Sequence, residues 1–330
     1  MDQETSNKVT ILSFVASFMV VMIHSIYTMD CSGWCARIYL SYGYDGLWNY
    51  SVPYFFVVAG YFTMNGYSDG KWSYSRAVYK RLWSLVVPYF VWNVIWLLAV
   101  TLPHCGWRIG GMDYLEAFGI SAITPCNSPL WFVKVLFILV CCSPIVVRIV
   151  SRLHGKVGML AFIAAALVLG MPLPGIKTIY RAFFYFSVGV WISIGLIQVK
   201  RNERMLKVGW LVWFILCGIQ SVFRFERFFL CIPLLAVPLV WFSYDLLVAK
   251  YALVRRACAD NWIIAICKTS FFVYCVHGII VSYTWGFKNV SVTGTMGIGI
   301  MVFCCSVVIG LVLKRFAKPV YGFLCGGRCG

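Results

Sequence analysis

Charge is scarce in this sequence: 12% of the 330 residues are Asp, Glu, Lys or Arg, only 11 are acidic, and four are histidine. A soluble domain keeps about a quarter of its residues charged to wet its surface. That shortage, with 62% hydrophobic residues and a mean hydropathy of +0.84, excludes an ordinary soluble fold. Alternating stretches of about ten residues are lacking too, which excludes a transmembrane barrel. What repeats instead is the apolar run of about twenty residues, the length a helix needs to cross about 30 Å of hydrocarbon. No internal repeat of the transporter kind is visible and no loop is long enough for a soluble domain, so residues 1–330 read as one membrane domain.

Carboxylates are the rarest groups inside the apolar runs, where only Asp245 falls near a span end. A carboxylate-lined ion or proton path therefore has no residues to build it. Cationic groups are not scarce: 28 Lys and Arg set the net charge at +17. In a soluble protein that excess would suggest nucleic acid; here it reads as the positive-inside rule, and no nucleic-acid partner is expected.

Ten spans are expected, at about 9–28, 47–64, 83–100, 130–147, 157–171, 179–197, 208–222, 228–247, 269–287 and 295–313. The ninth has an uncertain start, because 262–267 extends it. With the N-terminus inside, 19 of the 28 basic residues are cytoplasmic and seven external, Lys134 and Lys268 lying in or beside spans. That asymmetry predicts an all-α polytopic bundle with both termini cytoplasmic, in a cell membrane. The first run follows MDQETSNK, which carries two acids, and has no small-x-small cleavage site, so it reads as a retained helix rather than a signal peptide.

Fifteen cysteines do not make a framework, since Cys141, Cys142, Cys217, Cys231, Cys275, Cys304 and Cys305 fall inside apolar spans as small hydrophobes. Cys31, Cys35, Cys105 and Cys126 fall in external loops, where a disulfide is open. Cys325 and Cys329 are too few for a closed zinc site, and no metal is expected. Asn49 and Asn289 begin glycosylation sequons, meaningful only in a eukaryotic secretory pathway.

The candidate chemistry centres on His24, the one ionisable group near the end of the first span. Sixteen residues beyond Lys8, it sits about 24 Å along the helix, in the outer half of the membrane. It is either a neutral histidine satisfied inside a bundle or a base acting on an external hydroxyl. In the second case the activated donor arrives from the opposite side. A long donor with a charged head, acyl-CoA for one, suits that path. A carboxylate orienting His24 would come from a loop, as Asp30, Asp45 or Glu116. Lys80 and Arg81, where the third span meets the cytoplasm, are either positive-inside anchors or donors to a nucleotide phosphate. Arg181 and His277 are polar groups in or near spans that need partners, structural or functional.

Six stretches, in order, resemble the acyltransferase 3 family of integral-membrane acyltransferases. ILSFVASFMVVMIHS is similar to its first helix, ending in its histidine; VPYFFVVAGYFT to its second, with Ala59-Gly60-Tyr61 where serine commonly precedes Gly-Tyr. YKRLWSLVVPYFVW is similar to the basic-to-proline start of its third helix, and PLWFVKVLFILVCCSP, with Trp131, to its Trp-Phe helix. RAFFYFSVGVWI is similar to a Phe-rich stretch before glycine, and FFVYCVHGIIV to its Tyr-x-x-His. The resemblance implies a bundle of about ten helices that moves an acyl group, often acetyl, from cytoplasmic acyl-CoA to a hydroxyl of a glycan, lipid-linked sugar or small molecule. Acyl-CoA is then a co-substrate, with no bound cofactor, and the base maps onto His24. Ser13 stands where the family commonly has an arginine, eleven residues before the histidine, implied to engage the donor. The runner-up reading is a non-catalytic exporter or flippase of a glycan or lipid on the same bundle, which Ser13 favours.

Overall fold

The computed structural model describes residues 3–68, 73–101, 114–121, 124–152, 176–194, 202–223 and 228–328. Among them the regular structure is helical, apart from one isolated parallel bridge between Met29 and Val290. The helices used below are α1 (Gln3–Ser25), α2 (Ser51–Ser68), α3 (Val87–Trp96), α4 (Trp131–Cys141), α5 (Ser143–Arg152) and α6 (Ile176–Ser193). They continue with α7 (Glu203–Phe223), α8 (Phe228–Lys250), α9 (Asn261–Cys267), α10 (Ser270–Ser282), α11 (Val292–Phe316) and α12 (Lys318–Leu324).

Five helical segments among the described residues are long and apolar enough to cross a membrane: Gln3–Thr28, Tyr74–Val100, Glu203–Phe223, Ile232–Lys250 and Val292–Phe316. The number is up to seven if each of two bent pairs is one span, Ser128–Cys141 with Ser143–Val150 and Asn261–Cys267 with Ser270–Ser282. Each bend has a local cause. Pro144 at the start of α5 supplies no N–H to continue the ladder, and the chain turns by 70°. Asp260 caps the start of α9 by accepting from Trp262 N and Ile263 N; at its other end Thr269 N donates to Ile266 O at 2.9 Å, a tightened last turn, and the chain bends 45° before α10. Residues 262–267 form a separate helical piece, bent away from the helix of the ninth expected span. Of the remaining expected spans, 47–64 and 179–197 correspond to α2 and α6, helices of 18 residues each, and 157–171 lies outside the described residues, as does Cys105.

The chain divides into two compact units, Met1–Arg37 with Lys80–Lys134 and Ala252–Gly330, and Ile38–Tyr79 with Val135–Tyr251. In the first, α1 lies against α10 and α11. Ser17 Oγ donates to Ser270 O at 3.1 Å, and two turns on, the His24 ring meets the His277 ring. Both pairs are offset by 253 residues, so α1 and α10 run parallel and in register. Helix α11 runs the other way: Phe14 and Phe18 pack on Phe303, with centroids 5.1 and 5.0 Å apart, while Met22 and Ser25 close over Gly299. A Cβ at Gly299 would come within 2.5 Å of Met22 Sδ, so glycine is what lets these helices approach. Val21, Val273, Val281 and Val302 fill the space between the three. It follows that the start of α1 and the end of α11 lie at the same end of this unit.

The second unit is organised on α2 and α6. A Cβ at Gly60 would collide with the Phe186 carbonyl, and one at Gly189 with the Val57 carbonyl, so the two backbones touch. Ser193 Oγ donates to Asn65 Oδ1 at 2.6 Å, and Trp191 Nε1 to Val150 O at 3.2 Å. Trp210 on α7 donates to Ser243 Oγ on α8 at 2.9 Å.

Candidate functional site

His277 is completely buried on α10, a helix with most of its residues inside the unit. Its Nδ1 lies 3.2 Å from Val273 O. A carbonyl can only accept, so Nδ1 carries the proton and Nε2 presents a lone pair. That Nε2 is buried with no hydrogen-bond partner, a state that costs about 1–3 kcal/mol. What stands beside it is the half-buried His24 ring, its centroid 5.2 Å away. His24 thus has a second histidine in ring contact with it. Asp30 is occupied elsewhere, accepting from Ser32 N and Ser32 Oγ at 2.8 Å each, bonds that hold its pKa below the usual value.

The level of His277 is fixed by a polar clamp. Asn127 Nδ2 donates to Cys275 O at 3.0 Å, its backbone N–H donates to Asn93 Oδ1 at 3.1 Å, and Asn93 Nδ2 donates to Tyr89 O at 2.8 Å. Tyr274 OH donates to Pro129 O from the same turn of α10. Gly278 lies directly under Asn127 Oδ1, and a Cβ there would collide with that oxygen. Trp131, at the start of α4, follows this loop; its neighbour Phe132 packs edge-on to Tyr274, whose ring is 5.9 Å from that of His277. Asn93 and Asn127 were not singled out from sequence. The available signal was Asn93, an amide inside the apolar run VPYFVWNVIW.

At the α10 start lies the basic end of the unit. Lys80 and Arg81 are exposed, Arg81 at the last turn of the Tyr74–Arg81 helix. Arg328 joins them from the far end of the sequence, its guanidinium 3.9 Å above the Phe271 ring. Gly326 and Gly327, at φ +61° and +80°, make the left-handed turn that brings it there. The turn is seated tightly: a Cβ at Gly326 would come within 2.6 Å of Ser84 Cα and Trp83 O, and Trp92 Nε1 donates to Leu324 O at 2.9 Å. Burial and then the Arg81 charge push the Arg328 pKa down to about 10, still cationic at neutral pH. No carboxylate pairs with Arg81 or Arg328 among the described residues. Phe271 is six residues before His277, so this cation sits about 9 Å along α10 from the histidine pair.

At the other end of the pair a cleft of about 370 Å³ opens, lined by Tyr27, Met29, Trp285, Lys288 and Asn289. Tyr27 links it to the histidines, its ring 6.3 Å from that of His24.

Of the residues expected at the site, His24, His277, Lys80, Arg81 and Trp131 belong to the first unit, and the two histidines are in ring contact with each other. Arg181 belongs to the second unit, half-buried on α6. Cys31 and Cys35 are exposed free thiols, and Cys126 is half-buried. No cluster of three His, Cys, Asp or Glu able to hold a metal occurs among the described residues.

A family model for the acyltransferase domain (acyltransferase 3) matches residues 8–315, from within α1 to the last turn of α11. The chain belongs to the acyltransferase 3 family. It is also similar to the succinoglycan biosynthesis protein ExoH of Rhizobium meliloti (strain 1021), at 25% identity over 228 residues, 62% of this chain and 58% of that protein. The match thus spans less than two thirds of the relative's length. No solved structure matches.

Proposed function

We propose that this chain is an integral-membrane O-acyltransferase, moving an acyl group, acetyl in the simplest case, from cytoplasmic acyl-CoA to a hydroxyl of a glycan or lipid-linked sugar. The observation that supports it most is the in-register histidine pair. It lies between an end where, among the described residues, no carboxylate pairs with Arg81 or Arg328 and an end with an open cleft. Membership of the family and the likeness to a succinoglycan biosynthesis protein support a glycan acceptor.

In this reading the CoA phosphates rest against Lys80, Arg81 and Arg328, and the thioester reaches up α10 towards His277. A small rotation of the His24 ring lets it donate N–H to His277 Nε2, which leaves its other nitrogen as a base; such bonds often tighten only with substrate present. His24 takes the acceptor proton as the oxygen attacks the thioester carbonyl. The C–S bond breaks, and the proton passes from His24 to the leaving thiolate. Arg328 stands at the end of the unit where Ser13 lacks the family's arginine, since Ser17, one turn on from Ser13, bonds to Ser270 beside Phe271. That substitution of one arginine for another favours the enzyme over the exporter.

The sidedness assumed here is the ten-span topology with both termini cytoplasmic. The parallel α1 and α10 and the antiparallel α11 agree with spans one, nine and ten. A single cysteine at position 74 should react only with a membrane-permeant reagent; labelling from outside would overturn the arrangement. The activity itself is tested with purified protein, labelled acetyl-CoA and a read-out of CoA release. If acyl-CoA at millimolar concentration neither reacts nor stabilises the protein thermally, the exporter reading takes its place.

A further inference from the structure

The cleft beside His24 is built, not incidental. Its floor is set by the bridge between Met29 and Val290, in which Asp30 N donates to Val290 O and Val290 N to Thr28 O, both at 2.9 Å. That pairing ties the end of the first span to the loop after α10. Asn289, at φ +57°, takes the left-handed turn that the bridge requires, uncommon for any residue but glycine. The other side of the loop is anchored by Tyr283 OH donating to Ala99 O and by Phe287 N donating to Thr284 O at 3.0 Å. Between these ties the loop holds Trp285, Lys288 and Asn289 across from Tyr27.

The chemistry of the walls is specific. Tyr27 and Trp285 are 73% and 50% exposed, and aromatic faces of this kind pack on the C–H face of a sugar ring while their polar edges stay wet. Exposed aromatics also occur simply as interfacial anchors. Here they flank a cleft of about 370 Å³, near the lower limit for ligand sites, and one of them adjoins the candidate base. Asn289 offers an amide to hydroxyls. Lys288 is the only cation in the lining, and no ion pair engages it among the described residues. The acid that follows the lining residue Met29, Asp30, accepts from Ser32 with both carboxylate oxygens.

We infer that this cleft is the acceptor subsite and that it takes an acidic sugar, one bearing a carboxylate or phosphate that Lys288 meets while the ring lies between Tyr27 and Trp285. The assignment of the acylated hydroxyl to the His24 side of the cleft rests on the acyltransferase reading; the binding of an acidic sugar does not.

The test is saturation-transfer NMR on the full chain in detergent without donor, comparing methyl glucuronide, glucose 6-phosphate and methyl glucoside. Both acids should bind about two- to fivefold tighter than the neutral sugar, the scale of an exposed charge contact. Lys288→Gln should remove that preference and leave the glucoside unchanged, and Trp285→Ala should weaken all three. A preference for only one acid names the anion. Equal binding of acid and neutral sugar, an unaltered preference in Lys288→Gln, or no sugar binding at all overturns the inference. Failure of the acyltransferase reading looks different: the sugars still bind, but His24→Ala leaves no activity to lose. Lys288 is exposed, so its variant does not threaten folding; a matching thermal midpoint checks this.

Discussion

The two units each rest on one close helix pair, and the pairs are built on opposite principles. In the second unit α2 and α6 touch through Gly60 and Gly189, backbone on backbone, with dispersion supplying the contact. In the first, α1 and α10 are tied by a serine hydrogen bond and then part around two imidazoles, one of them with a buried lone pair left over. A contact made through glycines brings no side-chain polar group into the seam at those two positions. A seam with an orphaned Nε2 carries a standing cost of about 1–3 kcal/mol, tolerable where a function uses the group. The histidine seam is therefore where the proposed chemistry is placed; the second unit has orphaned polar atoms too, Trp213 Nε1 and Gln220 Oε1, but they lie on α7 and not on its glycine contact.

The strongest way to break that comparison is to show that either seam does the other's work. His24→Ala should lower acyl transfer by about a hundredfold to ten-thousandfold, the range for losing a positioned base, with expression and thermal midpoint near those of the parent. Near-parental transfer would make His24 a packing residue. Gly189→Ala should do the reverse. It forces a methyl into the Val57 carbonyl, so the folded fraction should fall by the equivalent of about 1–3 kcal/mol while the rate per folded molecule holds. A Gly189→Ala protein with normal stability and impaired kcat would mean that the second unit takes part in the chemistry.

Much of this was legible in the sequence, though unevenly. The apolar run ending in His24 and the Tyr-x-x-His stretch could be read as two polar points in two helices, because ionisable groups stand out against hydrocarbon. Their meeting could not, since the 253-residue register between α1 and α10 is a tertiary fact. Gly60 and Gly189 were visible as parts of two separate motifs, AGY and SVGVW, and the structure makes them opposite faces of one contact. Arg328 was hidden by its company. Among Lys314, Arg315 and Lys318 it reads as one more positive-inside residue, and only the Gly326-Gly327 turn sets it apart. Of the three loop carboxylates expected to be able to orient His24, Asp30 is drawn into its own turn with Ser32, a local arrangement that the sequence did not announce.

The basic end sharpens the comparison next. Arg328→Ala should raise the apparent KM for acyl-CoA about tenfold to a hundredfold, the worth of a charge-assisted bond, and leave acceptor dependence nearly unchanged. Ser13→Arg in that background should restore part of the loss if the two positions serve one phosphate group. Titration of CoA against each variant checks both, and an unchanged donor KM in Arg81→Ala and Arg328→Ala alike would remove the basic end from the mechanism.

The smallest effect is expected at His277, because it touches the reaction only through His24. His277→Gln keeps a side chain of similar reach and an oxygen that can accept from His24 N–H, so kcat should fall by about tenfold or less with both KM values unchanged. His277→Leu fills the space without accepting and should cost more in kcat while raising the thermal midpoint, since the orphaned Nε2 is gone. That opposition of rate and stability is the signature of a positioning residue retained at a cost. Were Leu to lower the midpoint as well as the rate, His277 would belong to the packing of α1 on α10, and the two seams of the molecule would differ in composition alone.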